Sequence, residues 1–76
     1  MNDKEKLSLA KKLLASLLVE PVTSFGGGSV YGKVDGKHSF LMTTTEMYHA
    51  VQMLARADIR VERIDAGGSP TWGLRA

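Results

Sequence analysis

Asp35-Gly36 lies between two strand-like runs, Ser29 to Val34 and Lys37 to Met42, and it is the strongest local constraint in the chain. An Asp-Gly pair supplies the two positive φ angles of a type I′ turn, whose twist matches that of the strands it joins. The two runs therefore read as a β-hairpin. Pairing Val34 with Lys37 sets the register. Tyr31 then faces Phe40, with Lys33 and Met42 on the same side. Val30 faces Leu41 on the other side, with Gly32 opposite Ser39. Both sides carry apolar residues, so alternation alone does not choose the core-facing one.

Helical periodicity brackets this hairpin. Asp3 to Val19 places Leu7, Ala10, Leu13, Leu14, Leu17 and Leu18 on one stripe, with Glu5, Ser8, Lys12 and Ser16 opposite. Asn2 is an N-cap, with Glu5 three residues on. Pro21 disfavours helical geometry at Glu20 and ends the helix. Thr43 to Ala57 forms the second helix, opened by a Thr43/Glu46 capping box. Met47, Ala50, Val51, Leu54 and Ala57 form its buried stripe, and Thr45, His49, Gln52 and Arg56 its outer face, bordered by Tyr48 and Met53. Ile59 to Ile64 and Thr71 to Arg75 read as strands about the loop Ala66 to Pro70. Trp72 and Leu74 share a face, with Trp72 on the core side.

Val22 to Phe25 fits a strand or a strand edge. Gly26-Gly27-Gly28 after it is a turn. A phosphate-cradling loop would need a helix next, and Ser29-Val30-Tyr31 is strand-like. The expected fold is α+β, a two-layer sandwich in the order α-β-β-α-β-β. Its sheet is mostly antiparallel, with two amphipathic helices on one face.

At 76 residues the chain forms one domain, spanning 1–76. A domain of this size buries only roughly 60% of the surface its unfolded chain exposes. The absence of cysteine excludes thiolate chemistry and Cys-type zinc sites, and agrees with a cytoplasmic setting. No apolar run is long enough for a bilayer, so no membrane partner is expected. Ten Lys/Arg against eight Asp/Glu leave a net charge of +2. The arginines near the second helix end, Arg56, Arg60 and Arg63, are interleaved with Asp58, Glu62 and Asp65, which dilute their field.

The inventory for catalysis is short. His38 and His49 are the only histidines, and the eight carboxylates show no paired spacing. Nothing has the i, i+4 histidine spacing of a helical metal site. No nucleophile, base and stabiliser converge in the pattern, so no enzyme activity, metal or cofactor is expected.

Two binding readings follow. The first is a small non-catalytic protein-binding module, an inhibitor or adaptor of the phage or mobile-element type, that covers a surface of a larger macromolecular machine. Its contact residues are read from exposure and residue type, since interfaces enrich Tyr, Trp, Met and Arg. They are Tyr31, Lys33, Tyr48, His49, Gln52, Met53, Arg56 and Arg63. The second rests on Thr43-Thr44-Thr45-Glu46-Met47-Tyr48-His49, then Leu54, Ile59, Ala66-Gly67-Gly68-Ser69-Pro70 and Trp72-Gly73-Leu74. This stretch resembles the end of a winged-helix DNA-binding domain, with helix 43–57 as recognition helix and 65–71 as wing. The resemblance implies that Thr44, Thr45, Tyr48, His49 and Gln52 read bases and that Arg63 contacts phosphate. Where that family carries a helix before the recognition helix, this chain has a hairpin. A homodimer that completes its core through paired sheets or helices is compatible with either reading.

Overall fold

The computed structural model describes residues 1–65 and 68–75. The element order is α1 (Asp3–Leu17), β1 (Val22–Phe25), β2 (Ser29–Val34), β3 (Lys37–Thr43), α2 (Thr44–Arg56), β4 (Val61–Arg63) and β5 (Thr71–Leu74). The domain is thus α+β with two helices and a five-stranded antiparallel sheet, β3-β2-β1-β5-β4. The order α-β-β-β-α-β-β corrects the expected α-β-β-α-β-β. Val22–Phe25 is a full strand at the sheet centre, paired on both sides with β2 and β5.

Caps hold the helix starts where the side chains dictate. Glu5 N–H donates to Asn2 Oδ1 at 2.8 Å. At α2 the capping box is complete: Glu46 N–H donates to Thr43 Oγ1 at 3.1 Å and Thr43 N–H to Glu46 Oε1 at 2.9 Å. Thr44 N–H, another donor left open by the helix geometry, bonds the Gly28 carbonyl at 2.8 Å. That bond ties the β1–β2 turn to the start of α2. Beyond the Ala57 cap of α2, Asp58 takes the left-handed conformation at φ 61°, and Ile59 N–H returns to the Leu54 carbonyl at 3.0 Å.

The Asp35-Gly36 turn has φ of 50° and 81°, as a type I′ turn requires. Val34 pairs with Lys37, Gly32 with Ser39 and Tyr31 with Phe40. Beyond that point the register changes, because Val30 pairs with Met42 and not with Leu41. Leu41 is the extra residue of a β-bulge, and the bulge turns Leu41 and Met42 inward together. Met42 therefore leaves the Tyr31 side, where the uninterrupted register would put it.

The helices pack against each other and against β2 and β3. The core is Ala10, Leu13 and Leu17 of α1, Met47, Ala50 and Leu54 of α2, and Val22, Val30, Leu41 and Met42 of the sheet. The α1 stripe is rotated from the expected one. Leu7 and Leu18 are 46% and 70% exposed, whereas Ser16 is buried. Gly32 explains the rotation. A Cβ on Gly32 would press on Ser16 Oγ and sit 2.9 Å from Val22 Cγ1. A small residue on α1 must therefore cross a residue without a side chain on β2, and Ser16 is the one that fits. Ala57, expected in the α2 stripe, is exposed at the helix end.

The C-terminal ribbon is joined by polar contacts. Ser24 N–H bonds the Pro70 carbonyl at 2.9 Å, and Trp72 Nε1 donates to Ser24 Oγ at 3.3 Å. Trp72 and Leu74 pack against the core while only partly buried. Strand β4 is shorter than the expected Ile59 to Ile64. No helix among the described residues is long and apolar enough to cross a membrane.

Candidate interaction surface

Alternation along β1, β2 and β3 turns Val22, Ser24, Val30 and Gly32 inward. The same alternation, carried across the strand pairs, puts Thr23, Phe25, Tyr31, Lys33, His38 and Phe40 on the exposed side of the sheet. Three aromatic rings run across it. Phe25, Tyr31 and Phe40 are 48%, 40% and 49% exposed. The Phe25 and Tyr31 ring centroids are 5.4 Å apart at 82°, and those of Tyr31 and Phe40 are 6.0 Å apart at 84°. Both contacts are edge-to-face, the geometry favoured by the ring quadrupole, and such pairs contribute about 0.5–1.5 kcal/mol each.

A hollow of about 610 Å³ opens on this ladder, lined by Thr23, Phe25, Tyr31 and His38, with Gly26, Gly27 and Ser29 at its turn end. A Cβ on Gly26 or Gly27 would meet nothing within 4 Å, so the bare turn leaves the hollow open at that side. His38 Nε2 lies 2.7 Å from Glu20 Oε1, and the His38 side chain is otherwise exposed. Glu20 Oε1 makes no aligned hydrogen bond, so the two side chains meet there by close approach alone. No group of three or more His, Asp or Glu that could hold a metal occurs among the described residues.

The eight residues chosen from the sequence fall in separate places. Tyr31 and Lys33 lie on the exposed side of β2, with Lys33 opposite His38. Tyr48 and Gln52 are exposed on α2. His49, expected on the outer face, is half-buried with Nδ1 enclosed. Its position at the flank of the core-facing row beside Ala50 accounts for this. Met53 and Arg56 line a second hollow, of about 360 Å³, with Leu7, Lys11 and Leu14 of α1. Arg63 is on the edge strand β4, three strands from Tyr31, where its Nε donates to Asp65 Oδ2. Asp65 Oδ1 accepts the Thr71 N–H at 2.8 Å. That bond, with Arg63 beside it, holds the Asp65 carboxyl below its usual range against a smaller opposing effect of burial.

Phe25 and Phe40 complete the ladder and were missed as contact residues. The signal for Phe40 was present in the hairpin register. Phe25 needed the β1–β2 pairing, which runs Thr23 to Tyr31 and Phe25 to Ser29. For the winged-helix reading, α2 follows β3 directly through its Thr43 cap. Positions 66 and 67 of the wing lie outside the described residues. No protein-family model, curated protein or solved structure matches the chain.

Proposed function

We propose that this domain is a non-catalytic protein-binding module that docks through the exposed side of its sheet, in the manner of a small inhibitor or adaptor covering part of a larger assembly. In this reading the helices form one layer behind the sheet and leave the other side for the partner. The ladder Phe25–Tyr31–Phe40 carries the reading. Half-exposed rings beside an open hollow are what an interface anchor needs, and aromatic residues supply much of the energy at such anchors. The occupant is a partner protein that inserts an apolar side chain into the hollow at Tyr31.

Charge and ring geometry support a protein over a nucleic acid. Glu20 sets a carboxylate 2.7 Å from His38 beside the hollow, which disfavours a phosphate there. Neighbouring rings stand near-perpendicular, so they present no parallel platform for successive bases. The winged-helix alternative uses the α2 face instead, with Tyr48 and Gln52 exposed on it.

A photo-crosslinking amino acid at Phe40, with Lys12 as a control site, tests the reading. One protein adduct specific to Phe40, retained in 0.5 M salt and lost on Gly27→Arg, is expected (the salt level being on the order of that which screens surface charge). Nucleic-acid adducts, or equal labelling from Lys12, would contradict it. Binding of the purified domain to duplex DNA, weakening steeply with salt, would favour the alternative.

A further inference from the structure

The hollow between the helices is separate from the aromatic ladder and has a different chemistry. Leu7, Leu14, Met53 and Ile59 supply an apolar floor, and Lys11 and Arg56 stand among its lining residues. Leu7 is 46% exposed although it is a leucine on a packed helix. Arg56 Nη1 reaches toward Met53 Sδ at 4.0 Å, which lays the guanidinium along the apolar wall. No carboxylate lines the hollow, and neither Lys11 nor Arg56 has a carboxylate partner among the described residues. The nearest acidic groups in sequence are Glu5, two residues before Leu7, and Asp58, which pairs with Arg60 at 3.5 Å.

We propose that this groove is a second docking site, for an acidic amphipathic segment of a partner protein. One or two apolar side chains of the segment fill the volume of about 360 Å³, and its carboxylates lie over Lys11 and Arg56. Charge selects this occupant. A second copy meeting the groove by the same face would bring like charges together, since the lysines of α1, Lys4, Lys6, Lys11 and Lys12, outnumber its acidic residues, Asp3 and Glu5. An anionic membrane would meet a concave groove, where surface-bound helices present a continuous apolar face. With the sheet side engaged elsewhere, the domain would bridge two protein surfaces. The groove does not depend on the sheet side being a binding site.

Three probes on the isotope-labelled full chain test this by amide chemical shifts. The first is a 14-residue helical peptide, a length of about four turns, with leucine at i, i+3, i+4 and i+7 positions and glutamate elsewhere. The second replaces every glutamate by lysine. The third is vesicles of phosphatidylglycerol. The acidic peptide is expected to move the amides of Leu7, Lys11, Leu14, Met53 and Arg56 and to leave Phe40 in place. Arg56→Glu with Lys11→Glu should weaken it by about tenfold or more, and Tyr31→Ala should not weaken it. Arg56→Gln serves the same purpose should the double reversal disturb the fold. Failure of the acidic peptide to bind, equal binding of the lysine peptide, shifts outside the groove, or vesicle binding with the acidic peptide inert would each overturn the site.

Discussion

The β1–β2–β3 half of the sheet and the β4–β5 ribbon are held by different forces. In the first, apolar side chains from both helices close over Val22, Val30, Leu41 and Met42, and the strand register is bound to burial. In the second, strands of three and four residues pair through their backbones, an Asp65–Thr71 side-chain bond reinforces the pair, and Trp72 bonds Ser24 of β1 to tie the ribbon to the sheet. The two halves are vulnerable in different ways. The first should respond to volume and the second to polar chemistry and pH.

The largest effect is expected at Leu13, which is fully buried. Leu13→Ala should cost about 2–5 kcal/mol in chemical denaturation, enough to leave a small domain partly unfolded. Leu18→Ala, on the same helix but 70% exposed, should cost less than about 0.5 kcal/mol. Equal costs would put the core on the unrotated stripe. Next comes Gly32→Ala. The added methyl meets Ser16 and Val22, so a loss of about 1–3 kcal/mol is expected. Recovery of part of that loss in Gly32→Ala with Ser16→Ala, measured as a double-mutant cycle, would confirm the contact between α1 and β2.

The ribbon should give smaller effects. Trp72→Phe removes the Nε1 donor to Ser24 and should cost about 1 kcal/mol, seen as a lower Tm. The smallest effect is pH-dependent. Asp65 has its folded-state pKa lowered, chiefly by the Thr71 N–H. Its contribution is therefore present above the unfolded value, about 3.9, and is lost as pH falls through the folded value. Asp65→Asn should be less stable than the parent at neutral pH, with the gap closing below about pH 4. A gap independent of pH would remove the carboxylate from the account of the ribbon.

Much of the fold was legible where its cause is local. Thr43 with Glu46 and Asp35 with Gly36 act through neighbouring backbone, and the second helix start and the hairpin turn follow from them. The pairing of β1 with β5 joins residues some fifty positions apart, and no local pattern encodes it (Val22 pairs with Trp72). The bulge at Leu41 answers the demand that Leu41 and Met42 both be buried, a demand made by the helices. The leucines of α1 span so wide an arc that only Gly32, across the interface, decides which edge is inside. The candidate surface was harder to see for the same reason. Tyr31 and Phe40 were visible as a pair, yet both sides of the hairpin are partly apolar, and the inward side is chosen by the packing of Val30 and Gly32 under α1 and α2.

Hydroxyl-radical footprinting of the aromatic side chains, on the purified domain and in cells of its native source, tests the docking claim most directly. Phe25, Tyr31 and Phe40 should be oxidised readily in the dilute purified domain and protected in the cell, with Tyr48 reactive in both. Unreactive rings in the purified domain, or rings equally reactive in the cell, would contradict it.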